Sequence, residues 1–574
     1  MAADDHNGQA MSETVHETQL AKADGPGGFE GRFLGLDWFE WACLVVLSGL
    51  SMVVLGPLLL KGRMLSGADG LFPPDQLQYL TWIREAGDHI LIGNRFDLRT
   101  DSRVFLHPGF LISGLVHRWL GVSLAVSFLA VWKPLAVATA FIGCLVYCRR
   151  LLPQGWPART GLAMALFVVM PWSGLAKSTG WGGPRGQYRL DFISGELWTV
   201  QTLMGYMMTA VAVFAVPLVL IGLEKARPGG RPWLLAACAL GGAWVMWLQP
   251  WQGGELILIV ILVELWRKLR SEVRFAWSFV PVLVVTGLPA AYYAWLGATD
   301  PSWKLASVAN KGGAQPLWHW PLWMVALTLA PLVIPAALGL WRKADDWQQV
   351  AVRVWPFAVL IVFFLPIGTF PYHAVQGLTL PLSILAVQGF TTNRPKWVPS
   401  ARAFWVVPVL AVLMIPGTAH KVRLVRNNIH NVAYPYYIFP GEEKALAWLE
   451  SDARSGGVLA SSYGGLLVPP YSGRETYIGP FSWTPSYELR ARVTGAFFGD
   501  KLAPSAAQRF VKGTGARYVF QECQGRVQPP PSLLTELGPL VLETKDFGCA
   551  RVYVLKPTPR SVKVSKRVGR PIVH

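Results

Sequence analysis

Charge is scarce in this chain. Only 15% of its 574 residues are Asp, Glu, Lys or Arg, whereas soluble domains carry about 25%. The deficit is uneven. From about Trp38 to Pro416 long apolar runs alternate with short charged ones, and from about Thr418 the composition is that of an ordinary soluble protein. A single soluble globule is excluded. Cysteine is also sparse, at six residues, too few for a disulfide framework. Cys43, Cys144, Cys148 and Cys238 fall in or beside apolar runs and read as inert core thiols. Cys523 and Cys549 lie in the soluble tail and could pair if that tail stands outside the cytosol. There is no Walker-type phosphate loop, dinucleotide fingerprint, His-Glu-x-x-His or Cys-x-x-Cys, which argues against ATP-driven transport by this chain alone. No covalent nucleophile is indicated. No cleavable signal peptide is visible, and residues 1–30 are polar, rich in Gly, Asp and Glu, and expected to be disordered.

What the chain has in quantity is apolar length. Hydrophobic residues make up 52%, and 27 Trp suit a lipid–water interface. A helical span takes about 20 apolar residues. By that measure about eleven spans are expected, near 39–60, 122–147, 161–176, 200–222, 233–249, 252–266, 275–296, 321–341, 350–367, 374–390 and 403–417. The net charge of +18 does not point to nucleic acid, because much of it sits in short loops between spans. Arg149, Arg150 and Arg159, then Lys225, Arg227 and Arg231, Arg267 to Arg274, Arg342 to Arg353, and Arg394 to Arg402 mark five loops on one side. That side is expected to be cytoplasmic.

The chain then divides into a cytoplasmic N-terminus (1–36), a transmembrane region (37–417) with a long external loop at 61–121, an external soluble α/β domain (418–555) and a basic flexible tail (556–574). The external loop contains an amphipathic helix, Asp75 to Asp88, with Leu77, Leu80, Trp82 and Ile83 offered to lipid. In the tail, Gly441 to Ser451, Arg490 to Phe498 and Ala506 to Val511 read as helices. Gly457 to Ser461, Glu475 to Ile478, Ala516 to Phe520 and Arg551 to Leu555 read as strands, giving a small layered sheet.

Ionisable residues at the external boundary are the candidates for chemistry. Asp75, in Leu71-Phe72-Pro73-Pro74-Asp75-Gln76, could act as a general base or hold a divalent cation; the plain alternative is a helix N-cap. Arg103 and His107 later in the loop, Arg185 and Arg189 in the second external segment, and Lys304 and Lys311 before the eighth span could meet phosphate, or lipid headgroups instead. Asp191 and Glu196 could neutralise Arg185 and Arg189. His373 sits at the external end of the tenth span, where a lone His is commonly structural.

Four stretches carry a resemblance: Asp75-Gln76-Leu77-Gln78-Tyr79, Ala298 to Trp303, Gly377 to Leu382, and a tail series from Ala445-Leu446-Ala447-Trp448 through Ser472 to Gly479 to Gly515-Ala516-Arg517-Tyr518. In this order the chain resembles bacterial GT-C superfamily glycosyltransferases, integral-membrane enzymes that use polyprenyl-phosphate-linked sugars. The resemblance implies inverting sugar transfer to a glycan, lipid or protein acceptor at the external face, with Asp75 as base. The family often has two adjacent acids here; this chain has Pro74 before Asp75 and Gln76 after it, so any divalent cation would draw its second carboxylate from Asp69. Relatives also often have basic residues where this chain has Pro371-Tyr372-His373. A non-catalytic scaffold or sugar-binding partner, and a transporter of lipid-linked glycan, are the competing readings. Transport should show inverted repeats or mid-span charges, and Lys133 is the clearest such charge.

Overall fold

The computed structural model describes residues 34–557 apart from 61–63, 71, 100–101, 182, 228–230, 272–275, 314–321, 341–343, 345, 366–369, 392–415, 425, 428–434 and 524–529. In lipid every peptide group must be paired within the chain, so the apolar runs wind into helices. Among the described residues five helical segments are long and apolar enough to cross a bilayer: Leu124–Leu151, Met207–Ala226, Trp277–Thr299, Trp347–Phe364 and Pro371–Thr391. Trp38–Ser51, Pro232–Leu248 and Ala326–Leu340 are apolar but shorter. The molecule is a multi-pass helical membrane protein with a small C-terminal sheet.

Several expected spans are interrupted. The 39–60 run breaks into Trp38–Ser51 and Leu55–Leu59, and the 161–176 run into Trp156–Phe167 and Trp172–Thr179. The 200–222 run starts as a short Thr199–Leu203 helix and turns at Gly205, φ 107°, before Met207–Ala226. The 403–417 run falls almost wholly outside the described residues.

The basic loops do gather at one end. Arg149 Nε meets Glu40 Oε1 at 2.8 Å and Arg159 Nη2 meets Asp37 Oδ2 at 2.8 Å. Arg150 Nη2 reaches Asp346 at 3.2 Å, and Arg227 reaches Glu264 at 3.5 Å. Trp347 Nε1 donates to the same Glu264 at 2.8 Å. The loop at 394–402 lies outside the described residues.

At the other end the 61–121 segment folds over the bundle. Its helix runs Pro73–His89, with prolines in the first turn where no amide is needed. It does not lie on lipid. Leu77, Leu80 and Ile83 are fully buried and Trp82 nearly so. The helix crosses Pro108–Leu120 with backbones almost touching: a Cβ on Gly114 would stand 2.4 Å from the Ile83 carbonyl oxygen. Apolar periodicity marks a face to be covered and is silent on whether protein or lipid covers it.

The C-terminal sheet has the order β3-β4-β6-β5, formed by Val458–Leu459, Tyr518–Gln521, Ala550–Leu555 and Val541–Phe547. β1 (Ile92–Gly93) and β2 (Arg103–Phe105) form a separate ribbon. β3 and β4 are parallel, the other pairs antiparallel. Helices Pro440–Ser451, Tyr487–Phe498 and Pro504–Thr514 accompany it. Glu475 to Ile478 is not a strand; Thr476 makes a single bridge to Val458. Cys523 and Cys549 are joined in a disulfide, and the other four cysteines are buried thiols. The sheet domain is not detached. Ile438 N donates to the Met64 carbonyl at 3.0 Å, Thr476 N to that of Arg95 at 2.9 Å, and Arg490 Nη1 pairs with Asp97 at 3.0 Å. Helical residues 416–424 stay with the membrane region, where Lys421 pairs with Asp191 at 2.7 Å.

Inside the bundle, Lys133 forms a buried ion pair with Asp69 and donates to the carbonyls of Ser51 and Leu203, each at 2.9 Å. Removing one partner of such a pair leaves a charge without compensation. Lys133→Met should therefore cost about 3–5 kcal/mol, read as a lowered unfolding midpoint in detergent. Adding Asp69→Leu should recover much of that loss, and a double variant as unstable as the single one would contradict the pairing.

Glu442 is buried and accepts from Phe439 N at 3.0 Å and Cys523 N at 3.1 Å. Burial nevertheless pushes its carboxyl up to about 7. The native state thus holds this proton more tightly than the unfolded chain. Its stabilising contribution is complete below the ordinary glutamate value of about 4.3 and is lost as pH rises through about 7. Glu442→Gln should flatten the fall in thermal midpoint across that window; an unchanged slope would assign the pH dependence to other groups.

Candidate active site

Asp75 is the third residue of the Pro73–His89 helix, where the helix dipole favours an anion. It is not the N-cap. Phe72 holds that position without a side-chain cap, because Pro73 and Pro74 occupy the first turn. The partly buried Asp75 carboxylate instead accepts from Tyr206 Oη at 2.7 Å. Tyr206 is delivered by the Gly205 turn, which lies tight against the loop before Asp75: a Cβ on Gly70 would be 2.3 Å from the Met204 carbonyl oxygen. Gln76 locks that loop, accepting from the amides of Asp69 and Gly70 at 3.0 and 2.8 Å and donating to Asp69 at 2.7 Å.

A second acid stands nearby. Glu196, 3% exposed at the end of Gly183–Leu197, accepts from Gln376 Nε2 at 2.6 Å and meets His373 Nδ1 at 3.2 Å. The His373 carbonyl accepts from Gln252 at 2.9 Å, and Gln249 donates to Gln376 at 3.1 Å. Phe192 packs between Phe72 and Phe370, at 6.4 and 5.5 Å, walling the site with aromatic rings. Burial raises the Asp75 carboxyl above the ordinary carboxylate range. The Tyr206 hydroxyl and His373 pull it down, and Glu196 pushes it up. A carboxylate of this kind suits proton abstraction from a hydroxyl.

Asp75 and His373 thus share one site; Asp69, Arg103, His107 and Lys304 are engaged or placed elsewhere. Asp69 is fully buried, with its oxygens taken by Lys133 and Gln76. The ammonium occupies the place a divalent cation would need, so Asp69 does not fit as a metal ligand. Among the described residues no group of three or more His, Cys, Asp or Glu is placed to hold a metal. His107 caps Pro108–Leu120, its Nδ1 accepting from Phe110 N at 3.2 Å. Burial pushes this ring down to about 3, so it is neutral and unsuited to phosphate. Arg103 pairs with Glu85 at 3.1 Å. Lys304 is exposed on the Pro301–Gly313 helix. Arg185, Arg189 and Lys311 have side chains outside the described residues, though the two arginines are on the helix that carries Glu196.

The expected neutralisation of those arginines by Asp191 and Glu196 involves side chains outside the described residues, and both acids have further partners. Asp191 takes Lys421 and His420, at 2.7 and 3.3 Å, while Glu196 takes His373 and Gln376. Tyr206, Gln376 and Gln252 were not singled out from sequence. Each is an isolated polar residue in or beside an apolar run, a weak signal that becomes informative only with its distant partner.

No family model matches this chain, and no curated protein matches it. Among solved structures it is similar to ArnT from Cupriavidus metallidurans bound to undecaprenyl phosphate, at 12% identity and a TM-score of 0.47, covering 91% of this chain and 98% of that one. It is also similar to the Archaeoglobus fulgidus oligosaccharyltransferase tethered with an acceptor peptide, at 10% identity and a TM-score of 0.49, covering 85% of this chain and 69% of that one. Arabinosyltransferase EmbB from Mycobacterium smegmatis follows at 13% identity and a TM-score of 0.38, covering 78% of this chain and 48% of that one.

Proposed function

We propose that this chain is a membrane glycosyltransferase. It moves a sugar from a polyprenyl-phosphate-linked donor to an acceptor hydroxyl at the external face of the bacterial cytoplasmic membrane, with Asp75 as general base. The observation that carries the reading is the Asp75–Tyr206 pair, a partly buried carboxylate held by one phenol at a bundle end. Tyr206 and Arg227 flank the same helix, Met207–Ala226. That places Asp75 about 30 Å from the basic loops, a membrane's thickness away. A disulfide in the C-terminal domain supports an oxidising, external setting for this end.

In the reaction the acceptor oxygen attacks the anomeric carbon as Asp75 takes its proton. The bond from that carbon to the phosphate oxygen breaks, and polyprenyl phosphate leaves with the electron pair. Attack opposite the leaving group inverts the anomeric configuration. Arg185, Arg189 and His373 are the proposed holders of the phosphate, because they share the Glu196 helix or contact it. Tyr206 orients the base, and the Glu196–His373–Gln376 chain orients His373.

Asp75→Asn should fold and lose roughly 10²–10⁴-fold in turnover with a polyprenyl-phosphate sugar; full activity would remove Asp75 from the mechanism. Because burial raises this carboxyl, kcat/KM should fall on the acid side with an inflection above the ordinary aspartate value of about 3.9. Tyr206→Phe removes a hydrogen bond to the charged form and should move the inflection to still higher pH. An inflection that stays put in this variant would show that another group titrates.

A further inference from the structure

Protein covers the Pro73–His89 helix through Leu77, Leu80 and Ile83, but just past its end the chain is bare and strained. Ile90 has φ 66° and ψ −51°, and the Leu91 amide donates across it to the His89 carbonyl at 2.7 Å. This is a γ-turn of the rare, strained kind. Positive φ makes a β-branched residue an outlier, whereas Gly or Asn adopts it at less cost. Such a conformation persists where its surroundings compensate it. Packing within the chain does not, because Ile90 is 59% exposed and Leu91 38%.

A second bare apolar pair belongs to the helix it crosses. Trp119 and Leu120 close Pro108–Leu120 at 74% and 70% exposure. They are not on a loose end. Arg118 Nη1 donates to the Gly87 carbonyl at 2.9 Å and to that of Asp88 at 3.3 Å, joining the ends of the two helices. The Gly121 amide donates to the His117 carbonyl at 3.0 Å, and His117 Nδ1 donates to the Val122 carbonyl at 2.6 Å. Ser123 then caps the span Leu124–Leu151.

The place of this tip in the fold says what covers it. It is continuous with a membrane span, for Leu124 follows Leu120 by four residues, and Val126 in the first turn of the span is itself 49% exposed. Arg149 and Arg150 close the other end of that span, so Leu124 marks the Asp75 side of the bilayer. A Trp beside bare aliphatic side chains at this level suits the boundary between headgroups and acyl chains. The same four side chains in water would be an exposed apolar patch, whereas in lipid their burial is favourable and offsets the strain at Ile90.

We propose that Ile90, Leu91, Trp119 and Leu120 form a wedge that docks among the acyl chains of the leaflet on the Asp75 side, so that lipid pins the end of the helix opposite Asp75. The wedge rests on the membrane-spanning fold and is independent of the glycosyltransferase reading. Leu91→Cys and Leu120→Cys are made singly in the full chain, spin-labelled and placed in nanodiscs of phosphatidylethanolamine and phosphatidylglycerol. The four native thiols are buried and the other two cysteines are paired; a chain with no added cysteine sets the background. Collisions of each label with molecular oxygen, which concentrates among acyl chains, are compared with collisions with a water-soluble nickel chelate. At both positions the oxygen-to-nickel ratio should exceed by about tenfold that of a label at Lys512→Cys, exposed on the C-terminal domain. A ratio at either position no higher than at Lys512 overturns the wedge. A label shielded from both reagents also overturns it, because a protein surface would then cover the tip. Ile90→Asn suits the same backbone and should lower the ratio at the Leu91 label severalfold. An unchanged ratio there removes Ile90 from the wedge and with it the account of the strained turn.

Discussion

A single ammonium inside the bundle sets the distance on which the site depends. Lys133 draws together three otherwise separate pieces: the end of the first helix at Ser51, the loop at Asp69 and the short helix ending at Leu203. Asp75 follows Asp69 by six residues, and Tyr206 follows Leu203 by three. Both members of the Asp75–Tyr206 hydrogen bond therefore hang from one cation. A buried ion pair is a poor source of net stability, because desolvation offsets most of its Coulomb gain. Its value here is positional, fixing two loops to each other where apolar packing alone would let them slide.

A second set of contacts holds the same loop from outside. Ser66 N donates to the Tyr436 carbonyl at 2.9 Å, and Tyr436 Oη returns to the Gly70 carbonyl at 2.9 Å. Arg84 donates to the Pro470 carbonyl at 3.0 Å, and Arg95 bridges Glu85 and Glu475. The helix that begins with Asp75 is thus gripped at its lead-in by Lys133 and along its length by the sheet domain. Rigid support on both sides is what the role proposed for Asp75 would require.

Much of this was legible in the sequence because it is local. Hydropathy and loop charge gave the bundle and its basic end, and the amphipathic pattern through Leu77, Leu80 and Ile83 gave the helix, two residues short of its start at Pro73. Contacts between distant residues were not legible. Tyr206 meets Asp75 across 131 residues, and nothing in the Gly205-Tyr206 dipeptide announces it. Leu77, Leu80 and Ile83 were offered to lipid because an apolar stripe looks alike whether it meets lipid or protein. The strand Val541–Phe547 was missed because its Glu543, Lys545 and Asp546 suit a sheet edge and hide the apolar alternation. His107 had the right residue type for phosphate, yet burial and the cap it provides leave it uncharged.

The span in sequence between the loop and its clasp has its own consequence for biogenesis. The bond from Tyr436 to Gly70 bridges 366 residues, and that from Tyr471 to Ser66 bridges 405. Ribosomal synthesis is directional, so the segment bearing Asp75 leaves the translocation machinery long before Tyr436 and Tyr471 exist. Until then half of its anchors are missing. A truncated or stalled product would insert its helices and still lack this clasp on the loop before Asp75, which closes only with the last quarter of the polypeptide.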